Sequence, residues 1–150
     1  MKLVIQRVSR AEVRVAGDVV GRIGDGFVVL VGVEVGDDSG AVGRAARKVA
    51  SLRVFEDADG KMNRGLDEVG GAVLAVSQFT LAASIRRGRR PSFDRAMRGA
   101  DAERLFDAFV SALRAEGVEV ATGSFGAMME VELVNDGPVT LIWDDPPTAE

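Results

Sequence analysis

Three segments of this chain gather residue types that can do chemistry. Ser77-Gln78-Phe79-Thr80-Leu81 sets two hydroxyls and a carboxamide within five residues, and main-chain N–H groups in such a segment can stabilise an oxyanion. Its plain alternative is a strand that turns polar as it leaves the core. Asn135-Asp136-Gly137-Pro138-Val139-Thr140 joins a glycine, free to take unusual backbone angles, to a proline whose φ is fixed. That pairing makes either an ordinary turn or a rigid wedge whose carbonyls face a ligand. Arg86, Arg87, Arg89, Arg90, Arg95 and Arg98 fall within thirteen residues and are opposed only by Asp94. Gly88 and Pro91 make this stretch a loop, where guanidinium groups form a solvated cationic face or contact phosphates.

Absent residues narrow the mechanism further. The chain has no Cys, no His and no Tyr, which removes a thiolate nucleophile, a Ser-His-Asp triad, an imidazole base and the usual zinc ligands. Thr80 as a nucleophile would need an activating base, yet the only lysines are Lys2, Lys48 and Lys61, and no carboxylate lies between Val69 and Phe93. Attack by water, with main-chain amides near Gln78 and Phe79 stabilising an oxyanion, fits this inventory better; Thr80 then positions groups. The pairs Asp37/Asp38, Asp57/Asp59 and Asp144/Asp145 sit beside turn residues and read as solvated turn carboxylates rather than a magnesium site. No metal and no cofactor is called for.

The elements that must position these segments follow from apolar spacing. Val4 to Val20 form a β-rich opening with a turn at Ala16-Gly17-Asp18, and Phe27 to Val33 is a nearly continuous apolar run of core-strand length. Val42, Ala45, Ala46, Val49 and Ala50 mark one face of a helix capped by Asp38 or Ser39. Arg53 to Phe55 reads as a short strand before a polar turn over Glu56 to Gly60, and Ala72 to Leu81 as a strand that carries the first motif to its end. Ala102, Leu105, Phe106, Phe109, Val110 and Leu113 predict a second helix, with Asp101 as cap and Gly117 as stop. Val118 to Ala121, Met128 to Val134 and Val139 to Trp143 read as strands, the last two joined by a turn at Asn135-Asp136-Gly137-Pro138.

No repeat or linker divides the chain, so one α+β domain is expected over residues 1–145: a mainly antiparallel sheet or barrel-like core with two principal helices, followed by a loose tail at 146–150. The strand-like opening lacks the basic and apolar regions of a secretory signal, which points to the cytoplasm. No apolar run is long enough to span a membrane. The net charge of −4 opposes coating a nucleic acid along its length while leaving a local contact with one end open.

Taken as a pair and in this order, the two motifs ending at Leu81 and Thr140 resemble the signature motifs of the D-aminoacyl-tRNA deacylase family. Similar segments run across nearly the whole chain: Ile5-Gln6-Arg7-Val8, Leu30-Val31-Gly32-Val33, Gly60-Lys61-Met62-Asn63, Gly88-Arg89-Arg90-Pro91-Ser92-Phe93 and Gly123-Ser124-Phe125-Gly126-Ala127-Met128. Ala82-Ala83-Ser84-Ile85 and Leu105-Phe106 depart from the family pattern without touching the signature residues. The resemblance implies hydrolysis of the ester joining a D-amino acid to the 3′ end of tRNA, with Ser77, Gln78, Phe79 and Thr80 in the catalytic segment. It implies a homodimer in which Gly137-Pro138, its peptide bond cis, reaches into the partner's site beside Asn135 and rejects L-amino acids. Glycine, being achiral, is less well excluded, so glycyl-tRNA mischarged on tRNA(Ala) is a further substrate. Arg7 matches the position that holds the Gly-Pro element, Phe125 lines the pocket for the terminal adenosine, and Met128 lies beside it. The ribose 2′-hydroxyl assists, and Arg86, Arg87, Arg89 and Arg90 are assigned to acceptor-end phosphates. The expected partners are tRNA carrying a D-amino acid or glycine and a second copy of the chain, without membrane or DNA. The rival readings are an RNA-end binding module without catalysis, an esterase or amidase acting on free D-amino acid derivatives, and a structural dimer.

Overall fold

The computed structural model describes residues 1–147; residues 148–150, the last three of the expected tail, lie outside the described residues. In chain order the elements are β1 (Lys2–Val15), β2 (Asp18–Ile23), β3 (Gly26–Gly32), α1 (Ser39–Ser51), β4 (Arg53–Glu56), β5 (Met62–Gly65) and the single turn α2 (Leu66–Val69). They continue with β6 (Ala72–Ser77), a 3-10 turn at Phe79–Ala82, α3 (Gly99–Ala115), β7 (Glu119–Thr122) and β8 (Glu130–Asp144). The α+β fold with a near-barrel sheet and two main helices, α1 and α3, is as expected.

β1 is the strand on which the sheet is assembled. One of its edges pairs antiparallel with β3 over Lys2 to Val8 and with β2 over Ala11 to Val15, while its other edge pairs with β8 along nearly its full length. β6 joins β3 and β7 joins β6 in parallel, two exceptions to a mainly antiparallel sheet. A parallel neighbour needs a crossover, supplied by the α1-to-α2 segment before β6 and by α3 before β7.

The apolar runs of β3 and β6 have a common cause, since both faces of these strands are covered. Phe27, Val29 and Val31 of β3, with Val73 and Ala75 of β6, pack in the cluster that also holds the apolar stripes of α1 and α3. Val28, Leu74 and Val76 point the other way, into a second cluster inside the curl of the sheet. β1 contributes to both: Leu3 and Ile5 face the helices, whereas Val8, Ala11 and Val13 face the interior of the curl. The change of face coincides with register shifts opposite β8 on either side of Val8.

Closure of the curl depends on a residue without a side chain. A Cβ on Gly21 of β2 would lie 2.3 Å from the carbonyl oxygen of Thr122 on β7. Only bare backbone lets the two strands approach so closely.

Several local expectations are corrected. β8 is one strand rather than two strands joined by a turn: both halves pair antiparallel with β1, and Thr140 faces Gln6 while Asn135 faces Val8, so residues 136–139 bulge out of a ladder that keeps its direction. α3 starts at Gly99 with Arg98 at the cap position and no side-chain cap bond, which puts Asp101 inside the first turn; Asp38 caps α1 as expected, accepting from the Ala41 N–H at 3.0 Å. Asp37 is not solvated. Its carboxylate accepts from the α-amino nitrogen of Met1 at 2.7 Å, and Glu34, also buried, pairs with the same nitrogen at 3.3 Å and with Arg95 at 3.0 Å. Two carboxylates and two cations thus neutralise one another, the condition under which buried charge is tolerated. Asp57 does behave as a turn carboxylate, held below the ordinary range by the Asn63 side-chain amide and by main-chain donors. Asp145 is tied in by the N–H of its own backbone to Met1 and by its carboxylate to Arg44 at 2.8 Å.

Arg7 is 6% exposed and sits where β1 changes face. Its guanidinium donates to the carbonyl of Val54 on β4 at 2.6 Å and to the carbonyl of Asp136 in the β8 bulge at 3.1 Å. Arg7→Leu is expected to lower stability by about 2–4 kcal/mol, because two carbonyls lose a charged donor. Urea unfolding checks the loss, and amide exchange should quicken at residues 135–139 in particular. Gly21→Ala is expected to cost about 1–3 kcal/mol through the clash with β7. Gly24→Ala, whose Cβ meets nothing within 4 Å, is the matched control and should leave the unfolding midpoint in place.

Candidate active site

The first motif gains its geometry from the end of β6. The N–H of Gln78 makes the last rung towards β3, donating to the Val31 carbonyl at 2.8 Å. The chain then tightens into the 3-10 turn, whose leading N–H groups at Phe79 and Thr80 have no acceptor among the described residues. The amide of Gln78 is therefore engaged, and the free main-chain donors are one residue further on than expected. The Gln78 carboxamide donates to the Thr80 hydroxyl oxygen, which leaves that hydroxyl's proton free to be donated elsewhere.

These residues line a cavity of about 540 Å³, within the roughly 300–1,000 Å³ typical of small-molecule sites. Ser77, Gln78, Phe79 and Thr80 line it, and so do Phe125 and Met128, with Phe125 beside Phe106 at a ring separation of 6.2 Å. Met97, Arg98 and Gly99, leading into α3, complete the rim. Apolar surface predominates. Arg98 is the one charged residue among those lining it, and no carboxylate or lysine is present to serve as a base.

The second motif forms a separate constellation. The Gly137–Pro138 peptide bond is cis, and both residues are exposed on the bulge of β8. Asn135 accepts from the Val139 N–H at 3.2 Å and donates to the Thr140 hydroxyl at 3.0 Å, which closes the bulge from within, while Arg7 grips it from β1. Gly137 has φ +126, and a Cβ there would lie 2.8 Å from the Val139 side chain and 3.2 Å from Arg7. Gly137, Pro138, Arg7 and Asn135 are brought together, but none of them lines the cavity of their own chain.

The six arginines divide into three environments. Ser84 and Ser92 exchange backbone hydrogen bonds at 2.8 and 2.9 Å, which closes a hairpin loop whose tip carries Arg86, Arg87, Arg89 and Arg90 exposed to solvent and outside the cavity. Arg95 is spent on Glu34. Arg98 lies over two aromatic rings, 5.5 Å from Phe79 and 5.9 Å from Phe93, which themselves meet edge to face at 5.3 Å. Sequence reasoning missed Ala102, Met129 and Val131 as cavity residues, since helical and strand periodicity assigns such positions to core or ladder, and it gave Met97, in the arginine loop, no role. It had Arg98 in hand only as one charge in a run.

Among the described residues, no group of three or more His, Cys, Asp or Glu is placed to hold a metal.

A family model described as D-Tyr-tRNA(Tyr) deacylase matches residues 4–144. Among curated relatives, the D-aminoacyl-tRNA deacylase of Symbiobacterium thermophilum is 61% identical over 99% of this chain and 98% of its own length. That of Thermus aquaticus is 58% identical over 96% of this chain and 95% of its own. Among solved structures, one titled c-Myc DNA Unwinding Element Binding Protein superposes with a TM-score of 0.90 at 39% identity, covering 97% of this chain and 99% of that one. A probable eukaryotic D-amino acid tRNA deacylase shares the fold, with a TM-score of 0.80 at 19% identity over 96% and 98% of the two chains. With identities of this size over almost every residue, the chain belongs to the D-aminoacyl-tRNA deacylase family.

Proposed function

We propose that the chain hydrolyses the ester of D-aminoacyl-tRNA, releasing the D-amino acid and free tRNA, and so removes wrong-handed amino acids before translation uses them. The observation that carries this reading is the cavity lining formed by Ser77 to Thr80, two of which, Phe79 and Thr80, have main-chain N–H groups without an acceptor among the described residues, in a pocket poor in charge. The adenine and ribose of a terminal nucleoside occupy the side of Phe125 and Met128, where apolar and aromatic surface suits a base. The ester carbonyl then lies against the 3-10 turn.

In this reading water attacks the carbonyl carbon, and the Phe79 and Thr80 amides donate to the oxyanion as it forms. The ribose 2′-hydroxyl beside the ester assists the attack, a role for the substrate itself in a pocket lined by no carboxylate, lysine or histidine. Thr80 orients the reacting groups, its oxygen already accepting from Gln78.

Selectivity is assigned to Gly137-Pro138 acting across a homodimer. Support comes from position: the bulge is exposed, is absent from its own chain's cavity, and stands on β8, whose outer edge has no partner strand among the described residues. Val134, 41% exposed, and Ile142, 78% exposed, lie on the same strand, and an unpaired edge with apolar side chains favours association. Carbonyls of the inserted element crowd the side of the pocket that an L-side chain would fill. Glycine has no side chain to reject, which makes glycyl-tRNA mischarged on tRNA(Ala) a second substrate. Arg86, Arg87, Arg89 and Arg90 serve acceptor-end phosphates; the base of their hairpin runs into Phe93, which touches Phe79 of the cavity wall.

Amino acid release from D-tyrosyl-tRNA is expected to exceed that from L-tyrosyl-tRNA by about a hundredfold or more, a barrier difference of roughly 2.7 kcal/mol. The Gly137→Ala/Pro138→Ala variant should lose this preference, and binding of tRNA with no release of either amino acid would return the protein to an RNA-end binding module. Thr80→Val is expected to keep kcat within about tenfold of the parent, since no bond to Thr80 forms. Trapping of an aminoacyl ester on Thr80, or a fall of about a thousandfold in a folded variant, would contradict water attack.

A further inference from the structure

Arg98 differs from every other arginine of its run. It lines the cavity, it makes no ion pair among the described residues, and its guanidinium lies over Phe79 of the first motif and over Phe93. Arg95, three residues earlier, is committed to buried Glu34, and the arginines at the hairpin tip stand outside the cavity. An uncommitted guanidinium at the rim of an apolar pocket, preoriented by two rings, keeps its N–H edge free to bind two oxygens of an anion such as a phosphate. Gly99, the first residue of a helix of 17 residues, lines the same rim and adds the positive end of the helix field.

On the deacylase reading above, the pocket holds a terminal adenosine, and the nearest anion of such a substrate is the phosphodiester on the 5′ side of that nucleoside. We propose that Arg98 binds this phosphodiester and so sets how deep the terminal nucleoside sits between Phe125 and the Ser77-to-Thr80 wall. Arg98 is a positioning residue: it contacts the substrate away from the reacting ester, and its stacking on Phe79 couples phosphate capture to the wall that carries the oxyanion donors.

The test compares Arg98→Ala and Arg98→Lys with the parent on three probes. These are D-tyrosyl-tRNA, a D-tyrosyl dinucleotide with one phosphodiester 5′ of the adenosine, and 3′-D-tyrosyl-adenosine without phosphate. Arg98→Ala should raise KM for the first two about five- to tenfold with kcat little changed, and lower the salt slope of tRNA binding by about 0.7, the value of one single-strand phosphate. Hydrolysis of the phosphate-free ester should fall much less than that of the two phosphate-bearing probes, and Arg98→Lys should recover part of the loss. An equal loss on all three probes would make Arg98 a brace for Phe79 alone, and no loss on any would remove its role; either overturns the proposal while parental turnover keeps the deacylase reading. If the parent binds uncharged tRNA with a salt slope that Arg98→Ala reduces, yet releases no amino acid, the phosphate contact stands and the deacylase reading falls.

Discussion

The buried guanidinium of Arg7 is the constraint around which the rest is arranged. It sits at the point where β1 turns from the helix-facing cluster to the interior of the curl, and it satisfies carbonyls on both sides, Val54 from β4 and Asp136 from the β8 bulge. A charged group so deeply placed is tolerated only because its donors are used. That requirement fixes the register of β8 against β1 on either side of the bulge, and so fixes where Gly137-Pro138 projects. Asn135 completes the lock by bonding forward to Val139 and Thr140.

Two covered faces on one sheet give the chain a rigid floor for its site. β3 and β6 bury side chains towards the helices and into the curl alike, so the end of β6 is held from both directions when it passes into the 3-10 turn. The turn is also the place where ladder bonding stops, at the Gln78 N–H, and where the next amides are left over. A site of this kind needs few reactive side chains. In the function proposed above, main-chain donors at the strand end would stabilise developing charge without titratable groups, which suits a chain that has no Cys, His or Tyr.

Charge elsewhere is spent on structure. Glu34, Asp37, Arg95 and the α-amino group of Met1 form a compensated cluster joining the end of β3 to the segment before α3, and Arg10, then Arg14, hold Glu132 below the ordinary carboxylate range across the β1–β8 ladder. The arginine run is therefore heterogeneous: one member neutralises a buried acid, one lies on the cavity rim, and four stand at an exposed tip.

The sequence by itself determined the components. Periodicity located the opening hairpin, the core strand and both principal helices, because one-sided or two-sided burial imposes its period directly on residue type; it carried the strand from Ala72 on to Leu81, whereas β6 stops at Ser77 and the chain tightens into a 3-10 turn. The missing Cys, His and Tyr limited the chemistry, and the two motifs pointed to the family that the comparisons establish. Tertiary structure alone decided the rest. That β8 is one bulged strand depends on both halves pairing with β1, and that Asp37 is buried depends on Met1, 36 residues away in the chain. Ala102 reads as part of a helix's apolar face until the fold opens a cavity beside it, and Arg98 reads like its neighbours until Phe79 and Phe93 meet beneath it. Local sequence encodes which face of an element is apolar; which remote group that face meets is set by packing, and here the candidate site is made of such meetings.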